Sequence, residues 1–245
     1  MAKRGSDQVG FLLVDGYDVL GVTTQLEDSL EAIVEEAHAL GDSWVKQEYV
    51  GIKKAELTQE GFYDDATDAV NEALCTKEGL ERLLCYGIEG NTIGQQFIGY
   101  TGALQASYTR IASRGELHRA NASYHGAGDV EEGVILHPHV TRSANDSTKE
   151  FAVDNEASTP DGGSAFIQVS DLVLGGHDNV TVKVIHSDDA LAWEDLATFT
   201  AVTKANTAEH KQIEGIIKRY LAVSWEFTGI GENPEIKFFV GFNRN

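Results

Sequence analysis

The sequence predicts a mainly β protein, an antiparallel β-sandwich or barrel with one flanking α-helical region at about 65–86. Three observations carry this. Short apolar runs alternate with turn signals over residues 10–63 and again from 99 onward, residues 220–228 keep a strict period of two, and only one segment shows sustained helical spacing. The chain has 245 residues, 42% hydrophobic and 24% charged, enough for one large β domain or two small ones with a real core.

In chain order, Phe11-Leu12-Leu13-Val14 ends at Asp15-Gly16, and Tyr17 to Gly21 leads into Val22-Thr23-Thr24. Residues 26–40 fit two readings, because Leu26, Leu30, Ile33, Val34 and Ala37 suit a helix face as well as a twisted strand or long loop. Strand-like runs return at 44–50 and 56–63. Asp64-Asp65 then stands where it would cap a helix whose face is Ala66, Ala69, Val70, Ala73 and Leu74. Leu80, Leu83 and Leu84 continue that spacing to about Gly87, with Gly79 as a break between two pieces. Strands follow at 103–111, 117–124, 133–140, 165–174, 180–186, 219–228 and 236–242. Leu221, Val223, Trp225 and Phe227 alternate with Tyr220, Ala222, Ser224 and Glu226, as a half-buried strand requires. The last two strands read as a hairpin closed by Gly229-Ile230-Gly231-Glu232-Asn233-Pro234. Residues 143–161 and 203–211 are polar and aperiodic, which predicts mobile segments. The first is a long hairpin loop or the boundary between a domain at 1–140 and a second β region at 141–245. That region completes the first domain or repeats it. Residues 1–125 hold ten basic and twenty acidic side chains and residues 126–245 nine and nineteen, so charge is evenly shared although no residue-level repeat is visible.

Nineteen basic against thirty-nine acidic residues give a formal charge of −20. This argues against a protein that grips phosphates, since such binding depends on Lys and Arg displacing counterions. It suits a solvated surface, or the lining of a passage that a polyanion crosses without sticking. Cys75 and Cys85 fall in the helical segment without a second CxxC, and read as buried thiols of a reducing compartment. The basic N-terminus lacks the apolar core of a signal peptide, and no run reaches the roughly 18 apolar residues of a membrane span.

Chemistry is sparse. His137-Pro138-His139 places two imidazoles at a spacing that points both to one side of a strand, yet no carboxylate or thiol completes a metal set. His186-Ser187-Asp188-Asp189 contains the residue types of a triad, but adjacent in a turn they cannot form the relay with one another. Glu35-Glu36, Asp64-Asp65, Glu131-Glu132 and Asp188-Asp189 are pairs expected by chance among so many acids, although a hydrolase using paired carboxylates would need such groups. Gly90-Asn91-Thr92-Ile93-Gly94 lacks the Lys of a phosphate loop. Trp44, Trp193 and Trp225 lie in apparent strands, where core packing explains them. The residues thus predict no catalytic, cofactor or metal site.

Several stretches resemble the tail-tube (major tail) proteins of long-tailed bacteriophages. They are Gly10-Phe11-Leu12-Leu13-Val14-Asp15-Gly16-Tyr17-Asp18-Val19-Leu20-Gly21, the acidic stretch 27–36, Ala39-Leu40-Gly41-Asp42 and Glu60-Gly61-Phe62-Tyr63-Asp64-Asp65. Further on, Gly99-Tyr100-Thr101-Gly102-Ala103, Gly115-Glu116-Leu117-His118-Arg119-Ala120, residues 124–133, residues 219–229 and Phe239-Val240-Gly241-Phe242-Asn243-Arg244 are similar to the same group.

The resemblance implies a virion protein, assembled in the host cytoplasm, whose copies join sheets edge to edge into hexameric rings, or into trimeric rings of duplicated halves. Those rings stack into a tube that holds a tape-measure protein and later passes DNA without binding it specifically, with no membrane and no cofactor involved. Subunit or ring contacts are expected within 27–60, at Glu27, Glu31, Glu35, Glu36, Asp42, Glu48 and Glu60. A different reading is a virion surface or decoration β-sandwich that binds capsid or carbohydrate, which would expect aromatics on solvent-facing loops.

Overall fold

A computed structural model describes residues 8–36 and 47–245, leaving aside the side chains of 47–50. Two antiparallel sheets make up almost all of it, as the alternating apolar runs predict. The large sheet holds β1 (Leu12–Val14), β2 (Tyr17–Asp18), β3 (Thr23–Glu36), β4 (Gln47–Phe62), β5 (Glu81–Gly87), β6 (Gln96–Ile111), β7 (Arg119–Gly126) and β8 (Val130–Arg142). The small sheet takes the next two strands, β9 (Asp146–Ser147) and β10 (Val153–Asp154), with β12 (Asn179–Ser187), β13 (Glu194–Thr198) and β15 (Tyr220–Thr228). The large sheet takes β11 (Gly163–Val173), β14 (Thr207–Ile213) and β16 (Glu235–Arg244), so strands from both sides of residue 140 share it.

The order β14-β11-β16-β8-β6-β5-β1-β2 forks at β6, whose first residues pair with β8 and whose later residues pair with β7, followed by β4 and β3. The fork lets the sheet curl over itself. Leu12, Val14, Leu84 and Tyr86 face Leu57, Tyr100, Ala122 and Tyr124 in one core, while Leu13 and Cys85 face Phe97, Phe166 and Phe239 in another. A third core, built on Ile167, Val184, Val223, Trp225, Phe238 and Val240, joins the large sheet to the small one.

Four expectations are corrected. The helix predicted at about 65–86 shrinks to one turn and a half, α1 (Val70–Leu74), and residues 81–87 form β5. Thr76 and Gly79 both take positive φ and end the helix, and Leu84, Cys85 and Tyr86 are consecutive because β5 is buried on both faces, a run that imitates helical spacing. Asp64 accepts from the Ala66 N–H at 3.0 Å before the helix, whose N-cap residue is Ala69. The last two strands are no hairpin either. The loop between them crosses from the small sheet to the large one, so that Trp225 and Phe238 meet edge to face, 5.6 Å apart, between the sheets. Residues 203–211 run into β14, paired with β11 over seven residues, and 143–161 contain β9 and β10. Residues 26–36 form a strand, while Ala37 and Trp44 lie outside the described residues.

The histidine pair is separated by the backbone. The register shifts between Phe238 and Val240 opposite Pro138, a bulge that turns His137 and His139 to opposite faces of β8. His137 stacks on Phe238 at 3.9 Å between the sheets, and its Nδ1–H donates to the Phe238 carbonyl at 3.2 Å while Nε2 accepts from Arg142 Nε at 3.0 Å. That arrangement needs a neutral ring. Burial, then the Arg142 charge, hold its pKa down to about 3. Burial likewise holds His139 down to about 4, against the opposing pull of Asp18.

Two outcomes follow from this core. Phe238→Ala removes a ring that closes both the Trp225 and the His137 contacts, and should lower unfolding free energy by about 3–5 kcal/mol in urea titrations. The unfolded chain protonates its histidines near pH 6.5, before the folded one does. Stability should therefore be full above that pH and fall as pH drops toward 4, at up to about 1.4 kcal/mol per pH unit for each histidine. His137→Gln, which cannot titrate, should flatten that slope by about one proton whatever it costs at neutral pH.

Candidate assembly surface

The site positions expected from the sequence that fall among the described residues lie on the β3–β4 hairpin. β3 is fourteen residues long and β4 sixteen, but β4 pairs with β7 only from Glu56 to Phe62. Beyond Ser29, which lies opposite Glu56, the hairpin has no further strand beside it among the described residues. At about 3.3 Å per residue, this free arm extends roughly 20–25 Å past the sheet on the β3 side.

Alternation divides its residues. Leu26, Asp28 and Leu30 lie opposite Gln59, Leu57 and Ala55 on the core face, and Gln25, Glu27, Ser29 and Glu31 lie opposite Glu60, Thr58, Glu56 and Lys54 on the outer face. Asn121, Ser123 and His125 of β7 extend that outer face. It is a polar sheet surface with four carboxylates against Lys54 and, at the start of β7, Arg119. The register shifts between Ala32 and Val34, so the alternation of the root ends before Glu35 and Glu36. Glu27, Glu31, Glu35 and Glu36 are exposed and Glu60 is half-buried. Glu48 stands opposite Glu35 in the backbone register. Asp42 lies outside the described residues. Six of the seven positions thus lie on this hairpin and its root.

The residue that pins the arm was hidden in the acidic stretch. Asp28 points inward, and its two carboxylate oxygens accept from the hydroxyls of Tyr86 and Tyr100, on β5 and β6. Burial first, then this hydrogen bond, push both phenols well above their ordinary range, so they stay donors. Its signal was an acid between Leu26 and Leu30, on the face that alternation assigns to the core. Where the arm leaves the sheet, a groove of about 710 Å³ is lined by Leu30, Glu31, Ile52, Lys53, Gly128 and Val130.

β3 presents its outer backbone edge without a strand partner among the described residues. The far edge of the sheet differs. At β14, Lys211 Nζ reaches the Thr198 carbonyl at 2.5 Å and Glu209 accepts from the Thr200 N–H at 2.7 Å, tying that edge to the segment after β13.

The remaining candidates are structural. His139 Nε2 lies 2.7 Å from Ser170 Oγ and its Nδ1 3.6 Å from Asp18, the order of a triad. But the ring is 3% exposed and Lys237 sits 3.3 Å from the same Asp18 oxygen, so the group ties β8 to β2 and β11. At the end of β12, Asp189 accepts from Ser187 Oγ and from the N–H groups of Leu191 and Ala192, which closes a turn and holds its carboxyl below the usual range. Trp225 is buried and Trp193 half-buried just before β13. Cys85 is buried, its thiol pushed up to about 12 by desolvation, and Cys75 is half-buried. Among the described residues no cluster of ligating side chains is placed to hold a metal, and no helix is long and apolar enough to cross a membrane.

No protein-family model matches the chain, and no curated protein matches it in sequence. Solved structures do align with it. A chain in the virion of a native gene transfer agent particle aligns over 52% of this chain and 97% of its own, at 12% identity and a TM-score of 0.43. One from the tail of an empty gene transfer agent particle, refined with helical C6 symmetry, gives the same shares and identity at 0.41. The Dit protein of phage SPP1, described as a paradigm of the hub adsorption apparatus in phages of Gram-positive hosts, aligns over 96% of this chain and 99% of its own, at 11% identity and 0.32. These structural neighbours belong to a gene transfer agent virion, a gene transfer agent tail and a phage hub apparatus. With TM-scores below 0.5, they leave the functional argument to the chain's own strands and charges.

Asp28→Ala should leave the two tyrosine hydroxyls without their acceptor and cost about 1–3 kcal/mol. The same change should speed hydrogen exchange of β3 amides from residue 26 outward while leaving β12 and β16 unaffected. Uniform exchange across β3 in variant and parent alike would contradict an anchoring role.

Proposed function

We propose that the chain is a structural protein of a phage-type tail, whose copies close into rings through the β3 edge and stack into a tube with an acidic bore. The observation that carries this reading is the long strand β3, fourteen residues with a free outer edge and five carboxylates, Glu27, Asp28, Glu31, Glu35 and Glu36, against no Lys or Arg. In a monomer such an edge is a hazard, because its unpaired N–H and C=O groups template further pairing. In a closed ring each edge is completed by the neighbouring copy, and rotational closure prevents runaway growth.

The outer face carrying Glu27, Glu31, Glu56 and Glu60 is then the lining. Repeated around a ring, these carboxylates repel a polyanion and keep DNA from adhering during passage, with a tape-measure protein occupying the bore beforehand. Residues 141–245 complete the first domain in this reading, since β11, β14 and β16 extend the sheet begun by β6 and β8. A duplicated chain would carry an arm in each half, and a single arm per chain favours six copies per ring over three. The protein acts without catalysis, in a virion tail assembled in the host cytoplasm.

Electron microscopy of the purified protein over a concentration series tests the reading. Rings or tubes of uniform bore are the expected result. A protein that sediments as a monomer up to millimolar concentration, with β3 amides protected from exchange in that monomer, would overturn it.

A further inference from the structure

The outer face of the small sheet carries a groove that neither the packing of the sheets nor ring closure uses. In β15, Leu221, Val223, Trp225 and Phe227 are buried in the core between the sheets, while Ser224 and Glu226 point the other way. The register sets Ser224 between Ser147 of β9 and Lys183 of β12, and Glu226 opposite Thr181. Hydrogen-bonding side chains from three strands therefore share one face. With Asn145, Lys149 and Asp195 they line a hollow of about 430 Å³, a size suited to a small ligand.

Its polar groups are only partly spent. Lys183 is held by Asp195 at 2.6 Å, Asp146 accepts from the Ser147 N–H at 2.8 Å, and the Asn145 side-chain oxygen accepts from the Phe227 N–H at 2.7 Å. The side chains of Glu226, Lys149, Thr181 and Ser224 have no hydrogen-bond or ion-pair partner among the described residues. Three carboxylates, Asp146, Asp195 and Glu226, against Lys149 and Lys183 leave the hollow close to neutral in a chain of −20. The carboxylates oppose a phosphate or sulfate, and the lysines oppose a metal ion. Trp225, the one apolar residue of the lining, is 3% exposed, so the hydrophobic side chain of a peptide finds no anchor.

We propose that this groove binds a neutral oligosaccharide. Every sugar hydroxyl both donates and accepts, so it suits a surface that mixes the two and favours neither sign of charge. Glu226 accepts, Lys149 and the amide of Asn145 donate, and the hydroxyls of Thr181 and Ser224 do either. Thr181, Ser224 and Glu226 stand on strands, and Lys183 and Asn145 are already fixed by their partners, so little side-chain freedom is lost on binding. No aromatic ring lies open in the groove for a sugar face to stack on. A single groove is therefore weak, and many copies held together would grip a repeating polysaccharide through effective concentration. The groove lies on a different sheet from the β3 edge, so sugar binding and ring closure can each fail alone.

Saturation-transfer NMR on the full chain tests it, with maltotetraose, mannotriose and triacetylchitotriose as neutral probes and trigalacturonate as the acidic control. Transfer to at least one neutral probe at millimolar concentration is expected, with less to the acidic one. Glu226→Ala with Lys149→Ala should weaken that binding about tenfold, as the loss of two ordinary hydrogen bonds does. Thr181→Val, which keeps the strand and removes only a hydroxyl, should weaken it by a few fold. Glu214→Ala with Glu232→Ala, at exposed positions outside the groove, should leave it unchanged. Beads bearing the probe that gives transfer separate two sources of the sugar. Stronger retention of concentrated, assembled protein than of dilute protein points to a repeating polysaccharide, and equal retention to a free sugar. Silence from all the neutral probes, stronger transfer to trigalacturonate, or transfer untouched by the Glu226 and Lys149 changes would each overturn the assignment.

Discussion

Burial of β1 and β5 on both faces is the constraint from which the rest of the architecture follows. Leu12, Leu13, Val14, Leu84 and Cys85 are all fully buried, so the sheet that contains them must supply cover in two directions at once. It does so by forking at β6. One branch brings β7, β4 and α1 over Leu12, Val14 and Leu84, and the other brings β8, β16 and β11 over Leu13 and Cys85. The second branch then exposes a new apolar face, Ile167, Phe238 and Val240, which the small sheet covers. The β3 side of the first branch has no such successor, and its outer strand ends the sheet as a free arm.

Much of this was legible where one face of a strand is polar and the other buried. β7, the first half of β12 and the second half of β15 alternate buried and more exposed residues, and β6, β7, β8, β11, β12, β15 and β16 all stand within a few residues of their expected places except that β6 starts earlier than expected. Legibility failed where that contrast disappears. β5 is buried on both sides and imitated a helix. β14 is half-buried at every residue but Gln212 and showed no period at all. Sequence neighbours were joined too readily. The β15 and β16 strands are connected by a short loop and packed face to face, yet nothing in their residues distinguishes a pair within a sheet from a pair across two sheets.

The acidic strand was legible as a region and illegible as a geometry. Acid density marked 27–36, which lies within β3. What composition could not separate was the inward acid from the outward one, because Asp28 and Glu27 are adjacent acids that a strand turns to opposite sides. The His137 and His139 pair teaches the complement. A spacing of two predicts a shared face only in an unbroken strand, and a proline that removes a donor is itself a reason for the strand to bulge there.

Charge and edge act on the arm in opposite directions. An uncovered strand edge invites any other edge to pair, and a flat apolar one would aggregate. Carboxylates along β3 raise the cost of that pairing for every partner that is itself acidic, including a second arm. They lower it only for a surface that brings positive charge. The carboxylates that face outward from β3 thus guard the same edge that its unpaired backbone groups leave open, as charged side chains do on other edge strands.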